Sequence, residues 1–344
     1  MKNKSFQIGL SLIEIMIALL IGAFLIGGVL QIFIGSKQTY RMQEGLSRLQ
    51  ENGRFALDFL ARDIRMAGFL GCSSQATPTN KLNTSVLGTP NYFLYNSFDK
   101  AIEGFEASSP TAWTPSINAA ITSPLGDSDV ITIRRADDQG FTVTAHDANT
   151  SALTLDANAT TAKLQSARFL TSASPPANHC AIAAISDCFT TAIFQVSAVT
   201  GNVLYHNTGA TVVTGGAACV PDNLTNDLGR TYVNGQIYPI NTISFFVREN
   251  PSNQPSLYRR VGSDGAEELV EGIEDMQILY GVDTDSDKTA NYYVPADPAL
   301  NWSNVVSVRI TLTVRTIDGN LTTTGDGRIR RNFTSTIALR NRLP

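Results

Sequence analysis

A long, nearly uncharged apolar run dominates the N-terminal part of the chain. Residues 15–34 are apolar or small except for Gln31, and between positions 5 and 36 the only charged side chain is Glu14. A helix of about 20 residues spans roughly 30 Å, the thickness of a bilayer's hydrocarbon core. The pattern therefore predicts a membrane-spanning helix over residues 10–34 with one acidic side chain near its start.

Hydrophobic residues continue at helical spacing beyond this run. The positions of the stripe are Leu46, Leu49, Gly53, Ala56, Leu60, Ile64 and Ala67. Charged residues fall mainly on other faces, which is typical of an amphipathic helix. Because no proline interrupts residues 10–68, we predict one helix of up to roughly 88 Å that ends near Gly68 or Gly71. Its second half, residues 35–70, is expected to pack on the globular part of the chain.

The remainder, residues 71–344, is rich in Thr, Ser, Ala, Asn and Gly and contains short β-branched or alternating runs. Strands are predicted at residues 129–134, 141–144, 192–199, 201–206, 242–248, 257–261, 270–280, 305–315 and 333–340. Pro251 and Pro255 mark a turn that predicts a hairpin. Residues 73–128 and 207–236 are predicted to be rich in loops. The expected fold class is α+β: a long N-terminal helix packed on a large, antiparallel, β-rich head.

The start of the chain combines a basic leader with a glycine and an acid at a fixed spacing. Lys2 and Lys4 are the charges of the leader, and Gly9 is followed by an apolar residue and, five positions on, by Glu14. This arrangement resembles the class III signal of type IV pilins and type II secretion pseudopilins. The resemblance implies that a prepilin peptidase cuts after Gly9 and methylates the new amine of Leu10. It also implies that Glu14 pairs with that amine of a neighbouring subunit during assembly.

The charge pattern predicts the orientation of the chain in a membrane. Lys2 and Lys4 favour a cytoplasmic N-terminus and an extracytoplasmic head. The apolar run lacks an Ala-x-Ala site at its end, so we expect it to be retained. The resemblance implies a single-pass protein of the bacterial inner membrane that later reaches the pilus or cell surface. On hydropathy alone, an uncleaved anchor with Glu14 near the cytoplasmic interface is the alternative.

Two further parts of the chain carry a more specific resemblance. Residues 51–69, and then 257–260, 268–283, 305–315 and 333–344, resemble the PilW-type minor pilins in sequence and order. The resemblance covers the N-terminal and C-terminal thirds of the chain. It implies a minor subunit in a complex that primes type IV pilus assembly, stays near the tip and sometimes carries an adhesin, with adhesion and twitching motility as associated functions.

The partners implied by this resemblance are other minor pilins and the major pilin through the N-terminal helix, the prepilin peptidase and the inner-membrane assembly platform. Three alternatives stay open. The first is a type II secretion pseudopilin of the J type, which shares the signal and the architecture. The second is a subunit for DNA uptake or adhesion. The third is a membrane-anchored enzyme.

Four cysteines lie on the side that the predicted topology makes extracytoplasmic, where disulfides form. Three pairings are open to Cys72, Cys180, Cys188 and Cys219. Since Cys180 and Cys188 enclose a short loop, we favour that pair, which leaves Cys72 with Cys219. Zinc ligation and buried free thiols are the alternatives, although no spacing is C-x2-C.

A short acidic segment is a candidate metal site. Asp283, Asp285 and Asp287 alternate as at the start of a calcium loop. Lys288 then occupies the position of the loop's glycine and Val294 that of its bidentate glutamate. The segment is therefore interpreted as a solvated acidic turn, with calcium as the alternative, and no other cofactor is expected.

No catalytic constellation is recognisable. His146, His179 and His206 are the only histidines, far apart in sequence and without the neighbours of a triad or a metalloprotease helix. We interpret them as surface histidines. No phosphate-binding loop or dinucleotide fingerprint occurs, and we expect a protein that is not an enzyme.

The charge balance disfavours nucleic acid as a partner. The formal net charge is −4, and removal of Lys2 and Lys4 makes the side chains of the mature form −6, since −4 − 2 = −6. A local basic stretch consists of Arg328, Arg330, Arg331, Arg340 and Arg342. These arginines are interpreted as solvated strand faces rather than a DNA track.

Overall fold

The computed structural model describes residues 11–71, 78–83, 100–167, 169, 181–187, 189–209, 221–262 and 264–342. Within these residues the chain has one long helix and a head rich in antiparallel sheet, which confirms the predicted α+β class. The chain falls into two compact units. The first contains the helix up to Gln50 together with Thr316–Ile329, and the second contains Glu51–Arg315 together with the residues from Arg330 onwards.

The long helix α1 is Leu12–Arg65, 54 residues or about 81 Å. Its predicted buried stripe is confirmed, because Leu49, Ala56, Leu60, Ile64 and Ala67 are all at most 1% exposed. The chain turns away just after the helix, where the predicted terminator Gly68 has a φ of +76°. Its N–H donates to the Arg134 carbonyl at 2.9 Å, so the glycine both ends the helix and joins it to the sheet.

Seventeen strands are found within the described residues. The first ten are β1 (Thr79–Asn80), β2 (Ile102–Ser109), β3 (Ala112–Thr114), β4 (Val130–Ala136), β5 (Phe141–Asp147), β6 (Ala152–Leu155), β7 (Ile182–Ser186), β8 (Thr191–Gln195), β9 (Ala198–Thr200) and β10 (Val203–Tyr205). The others are β11 (Gln236–Glu249), β12 (Pro255–Val261), β13 (Glu267–Glu271), β14 (Ile273–Val282), β15 (Tyr292–Val294), β16 (Val305–Arg315) and β17 (Arg330–Ala338). A short helix α2 (Thr161–Ser166) and two 3-10 helices, Trp302–Asn304 and Arg340–Arg342, complete the elements.

The strands form two sheets. The larger has thirteen strands, and its main path runs β1-β8-β7-β11-β5-β6-β10-β9. Two branches leave this path at β11. One is β12 followed by β13, and the other is β4 followed by β2 and β3. The smaller has four strands in the order β15-β14-β16-β17. Strand β11 is the centre of the larger sheet. Its first residues pair with β5 and β7, and its later residues pair with β4 and β12.

The structure confirms much of the strand prediction and corrects part of it. Each of the nine predicted segments contains a strand, and the hairpin predicted around Pro251 and Pro255 is the antiparallel pair β11–β12. The predicted strand 270–280 is instead the end of β13 followed by β14, because Gly272 between them has a φ of +83°. The loop prediction for residues 73–128 is wrong at β2, an eight-residue strand.

A buried carboxylate links the two sheets. One carboxylate oxygen of Asp129 accepts the N–H of Ala107 in β2 at 2.9 Å, and the other accepts the N–H of Ile278 in β14 at 2.8 Å. Asp129 is 2% exposed. Backbone donors from both sheets therefore converge on one side chain, which fixes the position of the smaller sheet against the larger one.

A second buried carboxylate joins the last turns of α1 to the larger sheet. One oxygen of Asp63 accepts two N–H groups of Arg135 in β4, at 2.9 and 3.2 Å. Its other oxygen is 4.0 Å from an Nη of Arg259 in β12. Nearby, a Cβ at Gly53 would lie 2.7 Å from the Phe333 ring. Close packing and a buried ion pair together set the register of the helix on the sheets.

We expect Asp63→Ala to lower the free energy of unfolding by about 1–3 kcal/mol, because the buried Arg135 guanidinium loses two hydrogen bonds. It keeps its contacts with Asp138 and the Ala136 carbonyl. Asp58→Ala is the matched control, since Asp58 lies on the same helix and is exposed. The measurement is chemical denaturation of the detergent-solubilised chain. Equal stability of the two variants would contradict the anchoring role of Asp63.

Candidate assembly helix and neighbouring sites

The candidate site from sequence begins with Glu14, and the structure adds Ser11 to it. The Ser11 hydroxyl accepts the Glu14 N–H at 3.2 Å. In return, the Glu14 carboxylate accepts the Ser11 N–H at 2.9 Å and the Ser11 hydroxyl at 3.1 Å. This reciprocal pattern is a capping box, which satisfies free donors at a helix start. Ser11 was not among the predicted site residues, although the Ser-x-x-Glu spacing signals such a cap.

The capping box leaves the carboxylate accessible. Both Ser11 bonds go to Oε2 of Glu14, and the residue is exposed. A negative charge in the first turn also suits the positive end of the helix dipole. Ser11 therefore orients the Glu14 side chain through Oε2, and Oε1 accepts no hydrogen bond from a described residue. The predicted cleavage residues Gly9 and Leu10 lie outside the described residues.

The helix that follows presents an apolar surface that no other described part of the chain covers. The large apolar side chains between Leu12 and Ile34 are 48% to 75% exposed. A Cβ added at Gly22, Gly27 or Gly28 would meet nothing within 4 Å. By length and composition this helix can cross a membrane. Its glycines are also suited to close helix–helix approach.

The three aspartates of the predicted acidic turn, for which calcium is the alternative, come together between β14 and β15. One carboxylate oxygen from each of Asp283, Asp285 and Asp287 lies within 4.8 Å of the others. Asp283 already accepts the N–H groups of Ser286 at 2.7 Å and Lys288 at 2.9 Å. Burial opposes the charge of Asp283, but these backbone donors outweigh it and lower its pKa. The Asp283 carboxylate is thus hydrogen-bonded by backbone N–H groups of its own turn.

Two of the histidines, separated by 60 residues in sequence, meet inside the head. The Nε2 atoms of His146 in β5 and His206 after β10 are 3.3 Å apart. His206 is fully buried, with its ring centre 5.5 Å from that of Phe194. The interpretation of His206 as a surface histidine is therefore wrong, because the pairing of β5, β6 and β10 brings it against the core. His179 lies outside the described residues.

Hydrogen bonding determines the protonation state of this pair. Nδ1 of His146 accepts the Tyr232 N–H at 3.2 Å, so its ring proton must be on Nε2, where it is donated to His206. A second proton on either ring would set two donors against each other. Burial and repulsion from His146 lower the pKa of His206 to about 4. Burial also lowers the pKa of His146, although Asp147 and Asp227 act in the opposite direction.

The basic stretch near the C-terminus is largely engaged within the protein. Arg330 binds Glu274 through two N–H groups at 2.6 and 2.9 Å. Arg328 donates to the carbonyls of Thr316 and Ile317. Arg342 donates to backbone carbonyls, and burial lowers its pKa. The interpretation as solvated strand faces is therefore wrong for Arg328, which stabilises the loop before β17, and for Arg342, which binds the start of β16 from the last 3-10 helix.

The predicted disulfides involve four cysteines. Cys72, Cys180, Cys188 and Cys219 all lie outside the described residues, so the pairing of Cys180 with Cys188 and of Cys72 with Cys219 stays a prediction.

One long, exposed apolar helix and a β-rich head define an α+β protein with a helix of membrane-spanning length. Residues 244–341, from the middle of β11 to the last 3-10 helix, match the family PilW, Type IV Pilus-assembly protein W. The predicted resemblance to PilW-type pilus proteins is thereby confirmed, and the match supports a role in type IV pilus assembly. No curated protein and no solved structure matches the chain.

We expect the head to lose stability as the pH falls from about 6.5 to 4, because His206 must take up a proton on unfolding in this range. The loss amounts to at most about 3 kcal/mol. Thermal melting of the full chain against pH measures it, with His206→Phe as the comparison. Asp129, whose pKa burial raises to about 7, titrates with the opposite sign but is present in both proteins. Parallel pH profiles would contradict the role of His206.

For the acidic turn we expect Asp283→Ala to lower the melting temperature, because the N–H groups of Ser286 and Lys288 lose their acceptor. Asp287→Ala is the comparison, since Asp287 is exposed and, among the described residues, accepts only the N–H of Thr289, so we expect it to lower the melting temperature less. Melting with and without added calcium completes the measurement. A rise in the melting temperature of the unaltered chain with calcium would favour the calcium loop over the solvated turn.

Proposed function

We propose that the mature chain, cut between Gly9 and Leu10, is a minor pilin that joins other minor pilins in a priming or tip complex of the type IV pilus. The observation that carries the proposal is Glu14. It is the sole charge near the start of an uncovered apolar helix, in a chain whose C-terminal part matches a pilus-assembly family.

The proposed mechanism is structural. The apolar surface of residues 12–34 rests in lipid before assembly and packs against the helices of other subunits afterwards. A carboxylate transferred into such a helical core needs a cationic partner, and the methylated amine of Leu10 of a neighbouring subunit supplies one. Such a pair adds little net stability but disfavours the wrong register, because misalignment leaves two desolvated charges unpaired.

The topology and partners follow from the same proposal. The N-terminus lies in the cytoplasm, one helix spans the inner membrane, and the head is extracytoplasmic until the subunit enters the fibre. The prepilin peptidase processes the chain, the assembly platform extracts it, and the major pilin and a tip adhesin contact it in the fibre. The role requires no catalytic group, cofactor or nucleic acid.

We expect Glu14→Ala to be processed normally but to be lost from sheared pili, because its helix no longer pairs with the neighbouring amine. Mass spectrometry of the mature N-terminus checks cleavage and methylation at Leu10, and immunoblotting of sheared pili checks incorporation. Glu44→Ala is the control, since Glu44 is an exposed acid of the same helix that pairs with Arg48 at 2.7 Å.

Two outcomes would overturn the proposal. Normal incorporation of Glu14→Ala would remove the role assigned to the carboxylate. Retention of the first nine residues in cells with an active peptidase would leave a tethered extracytoplasmic protein.

A further inference from the structure

Three segments of the chain share one five-residue pattern. Each has an asparagine followed two positions later by Ser or Thr, and preceded two positions earlier by Asp. The segments are Asp147-Ala148-Asn149-Thr150-Ser151, Asp156-Ala157-Asn158-Ala159-Thr160 and Asp318-Gly319-Asn320-Leu321-Thr322. Asn-x-Ser/Thr without proline at x is the acceptor sequence for N-linked glycosylation of extracytoplasmic proteins.

All three asparagines are exposed and lie outside the helices and strands. Asp147 accepts the backbone N–H of Asn149 at 3.0 Å, and Asp156 accepts that of Asn158 at 3.0 Å. Asn320 lies in the loop between β16 and β17 with a φ of +58°. Among the described residues, none hydrogen-bonds to the side-chain amides of these asparagines. Their amide nitrogens are therefore accessible.

Five other positions carry Asn-x-Ser/Thr without the preceding acid, and they provide the contrast. They are Asn3, Asn83, Asn223, Asn301 and Asn332. Asn223 is 2% exposed, and its amide nitrogen donates to the Gln195 carbonyl at 2.7 Å. Asn301 and Asn332 are exposed, so they test the acid separately from accessibility.

We propose that Asn149, Asn158 and Asn320 are N-glycosylation sites for an oligosaccharyltransferase that reads the preceding carboxylate with a basic side chain. The donor is an oligosaccharide linked to a polyprenyl pyrophosphate. The asparagine amide nitrogen forms a bond to C1 of the first sugar, the bond from C1 to the pyrophosphate oxygen breaks, and the amide loses one proton. Polyprenyl pyrophosphate is the leaving group, and no redox reagent is required.

The structure also ranks the sites. The oligosaccharyltransferase must contact the hydroxyl group two positions after the asparagine. Thr160 is exposed and Thr322 is half-buried. Ser151 is 1% exposed, so its hydroxyl is hidden in the folded head. Asn158 and Asn320 are therefore the main sites, and Asn149 carries less glycan.

The test is glycopeptide mass spectrometry on the full-length chain from the cells that naturally make it. The expected result is one common oligosaccharide on Asn158 and Asn320, a lower occupancy at Asn149, and none at Asn301 or Asn332. Asp156→Ala should abolish the modification at Asn158 and leave Asn320 modified. Asp297→Ala, which changes an exposed acid outside any of these segments, should change nothing.

The proposal rests on the extracytoplasmic placement of the head but not on fibre assembly. Protease added outside the inner membrane reports that placement, and Glu14→Ala should keep its glycans while it is lost from pili. Unmodified peptides from a head that the protease reaches would overturn the glycosylation proposal alone. Equal modification of Asn301, or full modification of Asn158 in Asp156→Ala, would also overturn it. A head that the protease cannot reach would overturn both proposals.

Discussion

A buried carboxylate on the long helix, Asp63, controls how the last turns of that helix meet the larger sheet. Its hydrogen bonds to Arg135 and its proximity to Arg259 tie three elements to one point. The cost of burying the Asp63 carboxylate is offset only in one register, because a displaced helix would break its hydrogen bonds to Arg135. The buried side chains of Ala56, Leu60 and Ile64 supply the apolar contact area of the helix, and the ion pair fixes the register of the helix on the sheet.

Three carboxylates of this chain have different hydrogen-bond donors. Asp129 is buried between two sheets and is satisfied by backbone donors from both. Asp283 is satisfied by the backbone of its own turn. Glu14 is held by Ser11 but keeps an accessible oxygen on an uncovered helix. The first two are hydrogen-bonded to backbone donors within the chain, whereas for Glu14 the proposed assembly role assigns the partner to a second subunit.

The two proposals assign different surfaces to different tasks. The helix between Leu12 and Ile34 exposes a large apolar surface, and exposing such a surface to water is unfavourable. A surface of this kind is typical of contact with lipid or with other helices. The three acceptor asparagines are polar and exposed, and a glycan attached there would remain in solvent. Neither proposed task requires a catalytic group.

The sequence alone determined the features that depend on neighbouring residues: the apolar run, the buried stripe of α1, its end near Gly68 and the β11–β12 hairpin. These follow from periodicity and turn chemistry, which act over a few positions. The division of residues 270–280 at Gly272 was not predicted, because Val270 and Ile273 on either side favour a continuous strand and the positive φ of Gly272 is not visible in the sequence. Only the tertiary structure decided the contacts of His146 with His206, of Asp63 with Arg135, and of Asp129 with two sheets. Their partners are brought together by strand pairing across long stretches of chain, and no local pattern encodes which strands pair.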